Sequence, residues 1–406
     1  MASTPATSTT KAWAYTKAGL PGQVLRLTTT HPQPPFPPTP PPKKKGNGES
    51  PAHQEEHILV RVSYAALNPG EVVVMNFIPA IFRSAAVKAL GGASVPAYDL
   101  VGTVIDISPP PLPPSSSTVN NANTSLKKGD AVVAFLPLAY KLATGVGALQ
   151  ETVAFPAKYA VRVPENKAPR EAAGLLLTAC TAVQMVEAAA VKKGDRVLVY
   201  GGSGGVGSML VQVARDVVKG GDGDGDGEVV VVCSGRNGEA VRGMGGDEII
   251  DYTLFSPIED ELARRFGNKP VDAILDGYGN QAVYKSSARY LKPDGIYSAA
   301  GVHSTGGFAT WPALKAGFAM LGNALWPKSP WLGGTGRTWK AAAMMDPGRE
   351  LMERVVRMLA DGKLRVVVDS EWAFENVQEA YDVLLSGRAR GKVIVKVNDG
   401  GDDAAH

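Results

Sequence analysis

Five glycines fall between Gly201 and Gly207, after a run fit for a buried strand (Val197–Tyr200) and before a helical pattern. A surface loop has no need of such density and a helix start tolerates it poorly, so another group is expected to approach this backbone closely. Gly202-Ser203-Gly204-Gly205-Val206-Gly207 has the spacing G-x-G-x-x-G in the strand–turn–helix context that the spacing requires. There the first glycine makes the tight turn, the second admits a pyrophosphate to the backbone and the third packs helix against strand. The helix start adds free N–H groups and the positive end of its dipole. These six residues are expected to bind a dinucleotide; the competing reading is a merely flexible turn.

The next strand selects the dinucleotide, because NAD binders end it with an acid that holds the ribose 2′-hydroxyl. Here it runs into Ser234-Gly235-Arg236-Asn237, a hydroxyl and a guanidinium without an acid. Arg236 is suited to a 2′-phosphate, which makes NADPH the expected cofactor. The alternative is an arginine on a solvated helix start.

A chain of 406 residues is long for one core and points to two domains. The net charge of +3, with basic and acidic residues interspersed, leaves no nucleic-acid footprint. Cys180 and Cys233 have neither a CxxC partner nor a histidine cluster, which argues against a disulfide framework or structural zinc and suits a reducing, cytoplasmic setting. The most apolar stretch, around residues 77–102, is broken by Arg83, Lys88 and Pro96, so no membrane span is expected. The first ten residues, rich in Ser and Thr, read as a frayed terminus.

Three low-complexity stretches, residues 31–56, 108–125 and 219–228, read as solvated loop insertions; PxxP spacing in the first is a weak partner signal. Up to residue 167, short β-rich runs alternate with turn signals, as in an all-β, barrel-like domain. From 168 to 339 strands apolar on both faces alternate with helices, which implies a parallel sheet covered on both sides. From 340 to 406 come a helix, two strand-like runs and a polar end, "NDGGDDAAH", read as disordered.

The segments "VRVSYAALNPGE", "VPAYDLVGTV", "LKKGDAVVAF", "TACTAVQ", "VKKGDRVLVYGGSGGVG", "GGDEIIDY", "LKPDGIYSAAG" and "GKVIVKV" resemble the medium-chain dehydrogenase/reductase superfamily, in its zinc-free quinone oxidoreductase and enoyl reductase branch. The likeness covers Lys11 to Val397 apart from the insertions. It implies an α/β fold: a GroES-like, β-rich catalytic domain built from both chain ends, with a doubly wound Rossmann domain between them and the active site in the cleft. Asn68, Tyr98 and Leu177 match the catalytic zinc ligands of the alcohol dehydrogenases and cannot make a zinc site. Conjugate reduction of an enone or quinone is then the expected chemistry, since the developing charge spreads onto a carbonyl that needs only hydrogen-bond donors and a proton source.

The resemblance further implies Thr181 near the nicotinamide, Ala299-Ala300-Gly301 lining its pocket and Tyr252 at the adenosine phosphate end. Thr181 could equally cap a helix, and Tyr252 could be an ordinary strand-end aromatic. Enoyl reductases carry a tyrosine downstream of the Asn-Pro pair; Pro79 stands there, with Phe77 and Phe82 nearby, so that proton donor is missing. Tyr98 either donates to a carbonyl or enolate oxygen or walls the cleft. Asn68 either bonds substrate or fixes its loop, and Glu71 and Asp99 read as partners of nearby backbone. The expected partners are a small-molecule substrate and no nucleic acid or membrane, in a monomer or homodimer. A non-catalytic protein that keeps the nucleotide fold as a scaffold or sensor is the rival reading.

Overall fold

The computed structural model describes residues 9–33, 55–77, 92–108, 126–221, 225–302, 310–325, 329, 331, 334–342 and 346–398. The chain opens with a two-stranded antiparallel sheet, β1 (Thr9–Ala14) and β2 (Arg26–Pro32). Thr9 and Thr10 therefore belong to a strand and not to a frayed end; Thr10 is buried and its hydroxyl accepts from Thr152 N–H. Five short strands follow: β3 (His57–Ala66), β4 (Asp99–Ile107), β5 (Ala131–Phe135), β6 (Thr152–Pro156) and β7 (Ala160–Arg162). Of the three insertions, residues 34–54, 109–125 and 222–224 lie outside the described residues.

The pattern then changes as the sequence leads one to expect. β8 (Arg196–Tyr200), β9 (Glu228–Cys233), β10 (Glu248–Asp251), β11 (Val271–Asp276), β12 (Leu291–Ala299) and β13 (Thr338–Ala341) form a wholly parallel sheet in the order β10-β9-β8-β11-β12-β13. Counted from β8 this is the 3-2-1-4-5-6 order of a doubly wound nucleotide-binding sheet. Its central strands β8 and β9 are valine-rich and buried on both faces; Val197, Val199, Val229 and Val231 are fully buried. Order reverses between β8 and β11, and the carboxyl ends of the strands at such a switch point are where open sheets of this kind take a ligand. β13 continues this sheet through Ala341, past the boundary expected at 339.

The chain then returns to the first half. β14 (Val368–Ala373) and β15 (Lys392–Lys396) complete a seven-stranded sheet in the order β14-β15-β3-β4-β5-β7, with β6 also paired to β3. β15 lies antiparallel to β3, so the strand nearest the end of the chain is central to its first domain. The described part of the polar tail is held: the Asn398 amide donates to Val62 O at 2.8 Å. The helix Leu175–Ala188 packs between the halves, and one buried cluster joins Ala66, Tyr98 and Val101 to Leu176, Cys180, Val199 and Val231. Among the described residues no helix is long and apolar enough to cross a membrane.

Candidate active site

The glycine turn joins β8 to the helix Gly205–Val218. The residue that needs the left-handed backbone is Gly201, at φ +74°, one position before the G-x-G-x-x-G spacing. Gly202 answers a different demand: a Cβ there would lie 2.1 Å from Val231 Cγ1 on β9. The sequence assigns Gly202 the tight turn; the structure gives the turn to Gly201 and makes Gly202 a packing residue. Gly207 sits with its would-be Cβ 2.0 Å from the Gly201 carbonyl oxygen, which seats the helix on the strand end.

Gly204 is the least crowded of these, the nearest atom to a Cβ there being Gly201 O at 3.6 Å, an ordinary van der Waals contact. Above it the N–H groups of Gly205, Val206 and Gly207 open the helix, where no intrahelical acceptor exists for them. An uncrowded turn beneath free N–H donors fits a pyrophosphate. At the end of β9 the buried Asn237 amide donates to Ser203 Oγ at 2.9 Å and Ser234 Oγ at 3.0 Å, tying the glycine turn to the adenosine end. Its Oδ1 is buried without a hydrogen-bond partner in the protein. Arg236 is exposed beside it, and Tyr252, 47 % exposed, follows β10 rather than packing as a strand-end aromatic.

The catalytic-domain side is a buried polar network around the three positions that the resemblance aligns with zinc ligands. Asp99 Oδ1 accepts from Leu177 N–H at 3.0 Å, and its Oδ2 accepts from the Asn68 amide at 3.2 Å. The same amide donates to Ala66 O, and its oxygen accepts from Lys392 Nζ. Lys392 Nζ also donates to Leu67 O at 3.1 Å and lies 3.6 Å from Asp99 Oδ2. One carboxylate and one ammonium thus hold together the segments that a metal joins in zinc enzymes. Among the described residues no three His, Cys, Asp or Glu side chains group as metal ligands. Burial pushes the Asp99 carboxyl up and the Lys392 ammonium down against their mutual attraction.

Both sides of the Asn68 amide are engaged within the protein, which favours the loop-fixing alternative over substrate binding. Glu71 supports it from below, accepting from Asn68 N–H and from Tyr381 Oη at 2.9 Å. Burial raises the Glu71 carboxyl to about 7, partly offset by Lys141. Thr181 lies inside the helix Leu175–Ala188 with its hydroxyl donating to Leu177 O at 2.6 Å, which excludes the capping alternative.

Tyr98 is 5 % exposed, its ring 6.1 Å from that of Phe135 and 5.4 Å from Lys141 Nζ. Its loop is clamped. Tyr98 O accepts from Leu136 N–H, Ala97 holds a left-handed φ of +68°, and Lys141 Nζ donates to Val95 O. The hydroxyl takes no hydrogen bond among the described residues, and burial, with Glu71 adding to it, holds the phenol protonated well above its ordinary range. Ala300 and Gly301 leave β12 at the same edge, Ala300 N–H donating to Asp276 O at 3.0 Å. Phe77 ends the helix Pro69–Phe77; Pro79 and Phe82 lie outside the described residues.

Two contributors escaped the sequence reading. Lys392 lies in the quoted "GKVIVKV", yet nothing there marks its side chain as running beneath the glycine turn, where its Cδ would be 3.4 Å from a Cβ on Gly205. Gly391 before it forms a parallel bridge with Gly204, which docks the turn onto the catalytic domain. Asp276, fully buried at the end of β11, accepts from the N–H groups of Tyr278, Gly279 and Asn280 and so shapes the crevice rim.

The alcohol dehydrogenase GroES-like domain profile matches residues 54–165, and the zinc-binding dehydrogenase profile matches 244–395. A medium-chain reductase of Acremonium sp. is 30 % identical over 96 % of this chain and 100 % of its own length. The chain belongs to the medium-chain dehydrogenase/reductase superfamily. A trans-enoyl reductase of Penicillium oxalicum is 29 % identical over 97 % of this chain and 99 % of its own. The quinone oxidoreductase of Coxiella burnetii superposes with a TM-score of 0.66 at 22 % identity, covering 96 % of this chain and 99 % of that one. A mycobacterial protein solved with NADPH gives 0.66 at 20 % identity, over 96 % and 100 %. Both share the fold. Membership makes the chain an oxidoreductase of a superfamily that acts on small molecules with a nicotinamide cofactor.

Proposed function

We propose that the chain is an NADPH-dependent, zinc-independent reductase of an activated C=C bond, in a quinone or an α,β-unsaturated carbonyl compound. The observation that carries this reading is the pairing of a glycine turn uncrowded at Gly204 with a catalytic side in which the Asn68–Asp99–Lys392 network stands in place of metal ligands and the Tyr98 hydroxyl takes no hydrogen bond among the described residues. The relatives named trans-enoyl reductases favour an enoyl substrate made in a polyketide-type biosynthetic pathway, on which this chain acts in trans.

The N–H groups of Gly205, Val206 and Gly207 hold the pyrophosphate, with Ser203 beside it and Ser234 and Arg236 at the adenosine 2′-phosphate. Ala300, Gly301 and Thr181 stand around the nicotinamide. A nicotinamide dinucleotide bound there would supply a hydride for the β-carbon of the substrate, and the enolate so formed would take its proton from Tyr98 or from solvent. Tyr98 Oη donates to the carbonyl oxygen as negative charge develops there. Asn68, Asp99 and Lys392 hold the loop and helix segments that face this oxygen.

Two results test this. Arg236→Ala removes a charge-assisted contact to the 2′-phosphate, so calorimetry is expected to show NADPH binding weakened about ten- to a hundredfold with NADH unchanged. Wild-type protein that binds both dinucleotides equally overturns the assignment. Saturable NADPH oxidation with an enone or quinone panel is the expected activity, whereas tight binding without turnover selects the scaffold reading. Purified protein is further expected to hold well under one zinc per chain and to keep its turnover after chelation; stoichiometric zinc lost together with activity contradicts the metal-free mechanism.

A further inference from the structure

We propose that Asp251 is a second determinant of dinucleotide choice, set against Arg236 across the turn at Gly235. The proposal deepens the cofactor assignment above. β9 and β10 run parallel with Cys233 opposite Asp251, so both strands leave the sheet at one level. Ser234-Gly235-Arg236 and Asp251-Tyr252 consequently rim the same end of the crevice. The Asp251 carboxylate reaches across to the β9 side: a Cβ on residue 235 would lie 2.2 Å from Asp251 Oδ2, so only glycine leaves room for it. Its Oδ1 accepts from Thr253 N–H at 3.0 Å and from Thr253 Oγ1 at 2.7 Å.

These bonds fix the carboxylate and hold its pKa below the ordinary value, with the Thr253 hydroxyl as the largest cause and burial opposing. No cation pairs with Asp251 among the described residues, and none of its acidic neighbours pairs with Arg236. The rim therefore presents one uncompensated positive and one uncompensated negative charge on either side of Gly235. A 2′-phosphate dianion placed there is drawn by Arg236 and repelled by Asp251. A plain ribose 2′-hydroxyl, by contrast, finds an acceptor in Asp251, the role an acid plays at the end of the second strand in NAD binders. The acid was invisible in the sequence because it ends the third strand, and only the β9–β10 pairing carries it beside Gly235.

The test uses the full chain and the adenosine halves of the two cofactors, 2′,5′-ADP and 5′-AMP, by titration calorimetry at low salt. Asp251→Asn keeps an oxygen for Thr253 and removes the charge. It is expected to raise the affinity ratio of 2′,5′-ADP over 5′-AMP about three- to tenfold, with the gain shrinking as salt screens it. Arg236→Ala should move the ratio the other way, and the double variant should fall between. A ratio left unchanged by Asp251→Asn, with unaltered thermal unfolding, overturns the role of Asp251. The wild-type ratio reads the NADPH assignment separately: a preference for 5′-AMP defeats that assignment, while the direction of the shift in Asp251→Asn still decides the proposal.

Discussion

Gly207→Ala is expected to weaken dinucleotide binding on the order of a hundredfold and to destabilise the fold by about 1–3 kcal/mol, the usual cost of overpacking. The new methyl would meet Gly201 O at 2.0 Å, Gly201 C at 2.8 Å and Gly202 Cα at 2.9 Å. All three are main-chain atoms, so no rotamer change relieves the clash and the helix start must lift from the strand end. Its N–H donors then lose their aim. Gly204→Ala separates the two effects, because nothing in the protein comes nearer than 3.6 Å to the added methyl and its φ of −80° suits alanine. Unfolding of that variant should match wild type while binding falls, since the methyl occupies the space reserved for the pyrophosphate. Calorimetry and thermal unfolding on both variants check this. Wild-type affinity in Gly204→Ala would show that the pyrophosphate does not approach that residue.

The contrast between these glycines shows where sequence reasoning stopped. Spacing alone located the turn, because strand, turn and helix are local patterns and periodicity reports them. The division of labour among Gly201, Gly202 and Gly207 was not local: Gly202 is excluded from carrying a side chain by Val231, a residue on the neighbouring strand. The same holds for Asn68, whose amide is consumed by Asp99 and by Lys392. Lys392 is more than three hundred positions away, and a buried lysine in an apolar strand gives no sign of which loop it will meet. Both sheets, by contrast, were legible, since valine runs buried on two faces and short alternating strands differ in pattern before any contact is known. That β13 runs past the boundary expected at 339 has a physical reason too. β13 is a short edge strand, "TWKA", whose polar residues do not announce membership of a parallel sheet.

Tyr98→Phe is expected to lower turnover by about 10²–10³ while leaving NADPH affinity and unfolding unchanged. The phenylalanine ring keeps the packing against Phe135 and beneath Lys141 Nζ, and the lost hydroxyl breaks no hydrogen bond among the described residues. The loop that carries Tyr98 is strained at Ala97 and tied by Lys141, which holds the ring in place for the proposed role of donor to the substrate carbonyl oxygen. The phenol stays protonated throughout the working pH range, since burial raises it, so a loss of turnover cannot be assigned to its ionisation. Single-turnover NADPH oxidation by wild type and Tyr98→Phe, on the best enone or quinone of the panel, isolates the chemical step. A Phe variant within about threefold of wild type, a barrier difference under about 1 kcal/mol, removes Tyr98 from the reaction and leaves solvent as the proton source.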